Sequence, residues 1–240
     1  MNTRESQLQG LGDARLAVHA TSALPAWLWS SDGTRVLWAN PVGARLFGAA
    51  NAADLANKRF GPADPHRRQI AQLAGRLSPA GAVRLERLRG FGAKLGGLMT
   101  CGCARLDFPD GGHGILIAAA ETSGRAMPLI ERLQRLVEGA DIPLLAFARD
   151  GMFVGASETA AALFGFRNLA EAGLEQARSE ALAQGRAELP IPIGHLVLRR
   201  VGSGADTGLV ALIALQAAAV PDAMAEAAES LEAAQPVGSV

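Results

Sequence analysis

The 240-residue chain is poor in cysteine, in unbroken hydrophobic runs and in excess charge of either sign. Each shortage removes a class of function. Two cysteines, Cys101 and Cys103, make no disulfide framework, which points to a reducing cytoplasm. The longest apolar run, Gly208 to Val220, contains Gln216 and is shorter than the roughly 20 residues that span a bilayer. The opening MNTRESQLQGLGDARLA is polar and carries no secretory signal, so a soluble chain without a membrane span is expected. Basic and acidic side chains number 23 each, far from the basicity of a nucleic-acid binder. The charge is unevenly placed, however. Residues 1–122 hold fourteen Lys/Arg against nine Asp/Glu, and residues 123–240 reverse those counts. The split suits contact between the halves or with other chains.

What the chain does contain is a repeat. PAWLWSSDGTRVLWANPVGARLFG, from Pro25 to Gly48, returns as PLLAFARDGMFVGASETAAALFG, from Pro143 to Gly165. Both copies open on Pro and reach an Asp-Gly turn, Asp32-Gly33 and Asp150-Gly151. Each then passes a second apolar run and closes on Leu-Phe-Gly. A period of about 118 residues is too long for a solenoid unit and implies two domains of one fold in tandem.

Within the first copy, a dense apolar run over 24–29 and a second over 35–38 flank the turn as a strand pair. Asn40-Pro41 marks a helix start, because Asn accepts from a first-turn amide and Pro has no amide to leave unpaired. Ile70, Leu73 and Leu77 share one face of a helix over 66–77. Strand candidates follow at 83–91, 95–108 and 114–120. The sum is a five-stranded antiparallel sheet with helices on one face, an α+β sandwich. Leu129, Leu133, Leu136 and Val137 form one stripe of a helix over 125–138, able to pack on a sheet or to pair with its twin in a dimer. The second domain repeats the plan, with a helix over 169–183 and strands near 187–193, 196–201 and 208–216. The expected divisions are an arm over 1–20, a domain over 21–122, a linker helix over 123–139, a domain over 140–217, and a partly disordered Ala/Glu-rich tail over 218–240.

The order of strand, Asp-Gly turn, strand, Asn40 at a helix start and Leu46-Phe47-Gly48 at its end resembles the opening of a PAS domain. The repetition extends that resemblance over most of the chain. More narrowly, ALPAWLWSSDGTRVLWAN followed by RLERLRGFGAKLGG resembles the N-terminal sensory region of cytoplasmic PAS-containing histidine kinases of alphaproteobacteria. The resemblance implies two PAS-like domains and a signal-input role in a two-component phosphorelay. A homodimer is implied, with a response regulator or kinase as partner and a small-molecule ligand as a further option. The phosphoacceptor pattern of those kinases, His followed by an acid and a base, is not found, since the four histidines precede Ala20, Arg67, Gly114 and Leu196. By the same resemblance the catalytic region would lie beyond Val240, and this chain is expected not to be an enzyme.

Candidate site residues are few, and the sequence identifies no cofactor. His66 begins the long helix, where some PAS domains place a haem ligand, although a solvated surface role is the plainer expectation. Cys101 and Cys103 fall on one face of a strand, where two thiolates would suit a soft metal or a redox site and two thiols would simply fill core. Trp27, Trp29 and Trp38 cluster in the first strand pair, either lining a ligand pocket or serving core and dimer surface. Arg84, Arg87, Arg89 and Lys94 read as a solvated strand face or as contacts for an anion. Gly90, Gly92 and Gly96 brush against a phosphate-loop pattern at the wrong spacing. No catalytic residue is named.

Overall fold

The computed structural model describes residues 12–91, 97–121, 126–162, 165–192 and 194–215. Leu163 and Phe164 of the second repeat, Gly92, Lys94 and Gly96, the first eleven residues and the tail lie outside the described residues. After a short helix α1 (Ala14–Ala17), the first domain runs β1 (Ala26–Ser30), β2 (Val36–Ala39), α2 (Pro41–Leu46), α3 (Ala52–Asn57) and α4 (Pro65–Ala74). It closes with β3 (Arg84–Arg89), β4 (Leu98–Asp107) and β5 (His113–Ala119). These strands form one antiparallel sheet in the order β2-β1-β5-β4-β3.

Helix α5 (Leu129–Val137) leads to the second domain: β6 (Leu144–Ala148), β7 (Phe153–Ala156), α6 (Glu158–Ala161), α7 (Glu175–Gln184), β8 (Arg186–Ile191), β9 (Gly194–Val201) and β10 (Gly208–Leu215). Its sheet has the order β7-β6-β10-β9-β8, the same arrangement again. The molecule is therefore α+β, with two PAS-like units each built on a five-stranded antiparallel sheet. The expected helix over 169–183 starts only at Glu175. Leu169 is fully buried and its carbonyl accepts from the Leu174 amide at 2.8 Å, so the chain bends there before the helix begins.

Local chemistry explains why the two copies fold alike. Asn40 Oδ1 accepts from the Gly43 amide at 2.8 Å, capping α2, and from the Ala26 amide at 3.1 Å, which fixes the start of β1. Its Nδ2 donates to the His19 and Leu24 carbonyls at 3.0 and 2.8 Å. In the second copy Ser157 takes this place. Its Oγ accepts from the Leu144 amide at 3.0 Å and donates to the Ile142 carbonyl at 2.8 Å.

Strand alternation sorts the apolar residues into three layers. Trp27, Trp29, Cys101, Cys103, Ile115 and Ile117 face helices α2 to α4. Leu145, Phe147, Leu198, Leu209 and Ala211 face the helical side of the second domain. Between the sheets lies a shared core, in which Leu28, Trp38 and Leu116 of the first sheet meet Leu144, Ala146 and Val210 of the second. Leu133 and Val137 of α5 are buried in that core, and Leu129 and Leu136 pack against it. The α5 stripe thus takes the first of its two expected roles, packing against sheets. Each fully buried leucine or valine in this layer contributes about 1.5–3 kcal/mol.

Candidate functional site

Two places in the fold hold side chains beyond what simple packing requires. The first is an aromatic cluster under the helices of the first domain. Trp29 lies 4.7 Å from Phe60 and 5.8 Å from Phe47, centroid to centroid, and its ring runs parallel to His66 at 6.3 Å. Phe91 closes the far side, 5.4 Å from Trp27 and 5.2 Å from His66. Trp27 Nε1 donates to the Gly43 carbonyl at 3.0 Å, whereas the buried Trp29 Nε1 has no acceptor among the described residues. An indole N–H left unpaired in a dry interior is costly.

His66 is not the solvated residue expected from its Arg neighbours. Its side chain is 18% exposed, with Nδ1 2.9 Å from Asp64 Oδ1 and Nε2 3.2 Å from the Gly90 carbonyl. Burial of Asp64 opposes its ionisation, but bonds from the His66 amide and ring outweigh this and hold its carboxyl below the ordinary range. Gly90 takes φ 83°, and a Cβ there would fall 2.7 Å from His66 Nε2, so only glycine admits the imidazole. With both nitrogens engaged and rings on several sides, His66 presents no free nitrogen to a haem iron.

Trp29 and Trp38 do not share a pocket. Trp38 pairs across from Leu28, which puts it on the opposite face from Trp27 and Trp29, within the shared core. Cys101 and Cys103 do share a face, at 0% exposure against the helices. Burial pushes both thiols up to about 12, with Glu121 adding to the effect at Cys101 and the Cys101 and Glu86 charges adding at Cys103. They are neutral at physiological pH, unlike the thiolates a soft metal needs. Among the described residues no group of three His, Cys, Asp or Glu side chains is placed to hold a metal. Arg84 spends its charge on Glu86 at 2.8 Å.

The second place is a polar knot at the junction of the domains. Arg132, one turn from Leu129 on the apolar side of α5, is buried with its side chain 6% exposed. It donates from Nη1 to the Thr21 carbonyl and from Nη2 to Asp206 Oδ1 at 2.9 Å, while Nε has no partner among the described residues. Asp206 Oδ2 accepts from the Ala23 amide at 3.2 Å, and Thr21 Oγ1 donates to the Asp206 carbonyl at 2.5 Å. Alongside, the Gly202 amide donates to Ala17 at 2.7 Å; a Cβ on Gly202 would overlap Thr21 Oγ1 and the Asp206 carbonyl. The segment before β1, the linker helix and the β9–β10 connection are thus bound at one point. In the sequence this knot leaves a single signal, a cation at position 132 amid the stripe of Leu129, Leu133 and Leu136.

No protein-family profile and no curated relative matches the chain. Solved structures do align with it. An extracellular ligand-binding receptor from Desulfohalobium retbaense is 14% identical at a TM-score of 0.28, covering 88% of this chain and 35% of that one, so the chain spans about a third of the receptor's length. The E. coli DhaR(N)-DhaL complex aligns at 12% identity and a TM-score of 0.31, covering 88% and 85%. The extracellular domain of a candidate histidine kinase, mmHK1S-Z2, aligns at 12% and 0.26 over the same shares. At such scores the likenesses carry no functional inference, and function is read from this chain's own residues.

Proposed function

We propose that the chain is the cytoplasmic sensory and dimerisation input module of a two-component signal-transducing histidine kinase, with no catalytic centre of its own. The observation that supports this most is the shared core closed by the Arg132 knot. Through it, a contact made on one sheet reaches the other sheet and the linker helix without crossing solvent. A ligand, subunit or response-regulator contact that favours one packing of this layer would bias the segment leaving β10 toward an output domain.

The test is to join the chain to a histidine-kinase catalytic region and measure autophosphorylation. Replacing Arg132 by Met should shift the output while circular dichroism stays unchanged. Output identical to the parent would overturn the reading.

A ligand-free scaffold that binds a response regulator or kinase is the second reading. The mutual contact of the rings around Trp29 favours it, because those rings fill the interior of the first domain. Native mass spectrometry with an ultraviolet–visible spectrum separates the two. A non-covalent mass surplus supports a ligand sensor, and a dimer mass with no surplus supports the scaffold. A Soret band would restore the haem reading, against which the two engaged nitrogens of His66 stand.

A further inference from the structure

We propose that a groove at the turn end of the first domain binds a small amphiphilic anion, a carboxylate or phosphate head on a short apolar body. The groove has a volume of about 480 Å³ and lies where the β1–β2 turn, the segment before α4 and the β4–β5 turn converge. It is outside the aromatic cluster and on the other side of the sheet from it. Its apolar floor is Leu37, a member of the shared core, and Phe108, which packs against that core.

The groove carries charge of both signs, two arginines and two aspartates, and of these the arginines are the uncommitted pair. Arg35 and Arg59 both line it, and among the described residues neither guanidinium has an ion pair or hydrogen bond. The two are brought together by the backbone, since the Phe60 amide, next to Arg59, donates at 2.9 Å to the Thr34 carbonyl, next to Arg35. His113 stands beside them at the start of β5. Two acids also line the groove, but both serve the turns. Asp32 accepts from the Thr34 amide at 3.1 Å and from its hydroxyl at 2.9 Å, and Asp110 Oδ1 accepts from the Gly112 amide at 2.9 Å. The donors left without acceptors are therefore two guanidinium groups, which bind planar or tetrahedral oxyanions through paired N–H bonds. An inorganic anion would use the arginines alone. The floor adds a reason for an apolar body, and it is also what would couple occupancy to the layer between the sheets.

This inference deepens the sensory reading and rests on it for its meaning, but binding is measurable without any kinase. Isothermal titration of the purified chain would use phenyl phosphate, phenylacetate, inorganic phosphate and benzylamine as probes. The expected result is saturable binding of the two aromatic anions, weaker binding of inorganic phosphate, none of benzylamine, and loss of affinity as salt is raised. The doubly substituted Arg35→Gln, Arg59→Gln chain should bind roughly tenfold more weakly or worse, with an unchanged melting temperature. The exposed-strand control Arg84→Gln, Arg87→Gln should bind as the parent does. In addition, the His113 ring proton resonances should move on titration. No binding of either aromatic anion to folded protein, or equal binding by the Arg35/Arg59 variant, overturns the site and leaves the kinase-coupling test to stand on its own. Phenyl phosphate binding without any effect on the output of the fused kinase keeps the site and overturns the sensory reading.

Discussion

Asn40 satisfies four backbone groups from a side chain with no exposed surface, so it is the residue whose loss should be felt most in the first domain. Replacing it by Ala leaves two amides and two carbonyls to find other partners, and about 2–4 kcal/mol should be lost in urea unfolding. Asp in its place keeps the cap but sets an oxygen against the His19 and Leu24 carbonyls, and should be no better. His19 supplies a pH dependence of definite sign. Burial depresses its ionisation below the ordinary value of 6.5. The folded chain then binds fewer protons than the unfolded chain below that pH. His19 therefore contributes stability that is complete above pH 6.5 and is lost as the pH falls from there toward the folded value. Unfolding midpoints measured from pH 7.5 downward should decline less steeply in His19→Gln than in the parent.

At the scale of elements, α5 is the part whose partners decide the architecture. Leu133 is fully buried in the layer between the sheets, and its methyl groups fill the space that a Cβ on Gly208 would need. Leu133→Ala should cost about 2–5 kcal/mol and should raise amide exchange in β1 and β6 together, because both strands turn their outer faces to it. An increase confined to the second domain would mean that the layer is not shared. Elements whose signals are local were legible in the sequence: the Asp-Gly turns, the Asn40-Pro41 helix start, the α4 stripe and the five strands of each sheet. What was not legible is non-local. The stripe on α5 says that something covers it, but not which surface, and nothing near Leu169 in sequence says that its burial delays the next helix. The face taken by Trp38 depends on a register irregularity beside Trp29, which alternation alone does not show. The anion groove likewise draws on three segments between residues 30 and 113, each ordinary by itself.

For the whole molecule, the knot predicts how the two domains come apart. Asp206→Ala leaves the Arg132 charge buried beside one carbonyl and should cost about 3–5 kcal/mol. Arg132→Met also breaks the pair, but the carboxylate it leaves on Asp206 is one-third exposed and can be met by water, so it should cost less. Calorimetry should show one transition for the parent and a split or broadened one for Asp206→Ala; a single sharp transition in both would mean that the shared apolar layer alone enforces cooperativity. The same layer also has a consequence for synthesis on the ribosome. Thr21 waits for Asp206, 185 residues later in the chain. Until residues 129–215 have emerged, the outer faces of Leu28, Trp38, Leu106 and Leu116 are bare. At ordinary elongation rates of about 5–20 residues per second that interval is roughly 4–17 s. The first half of the chain is thus a nascent client with a sticky back, and chaperone occupancy on stalled chains ending near residue 125 should exceed that on chains released at full length.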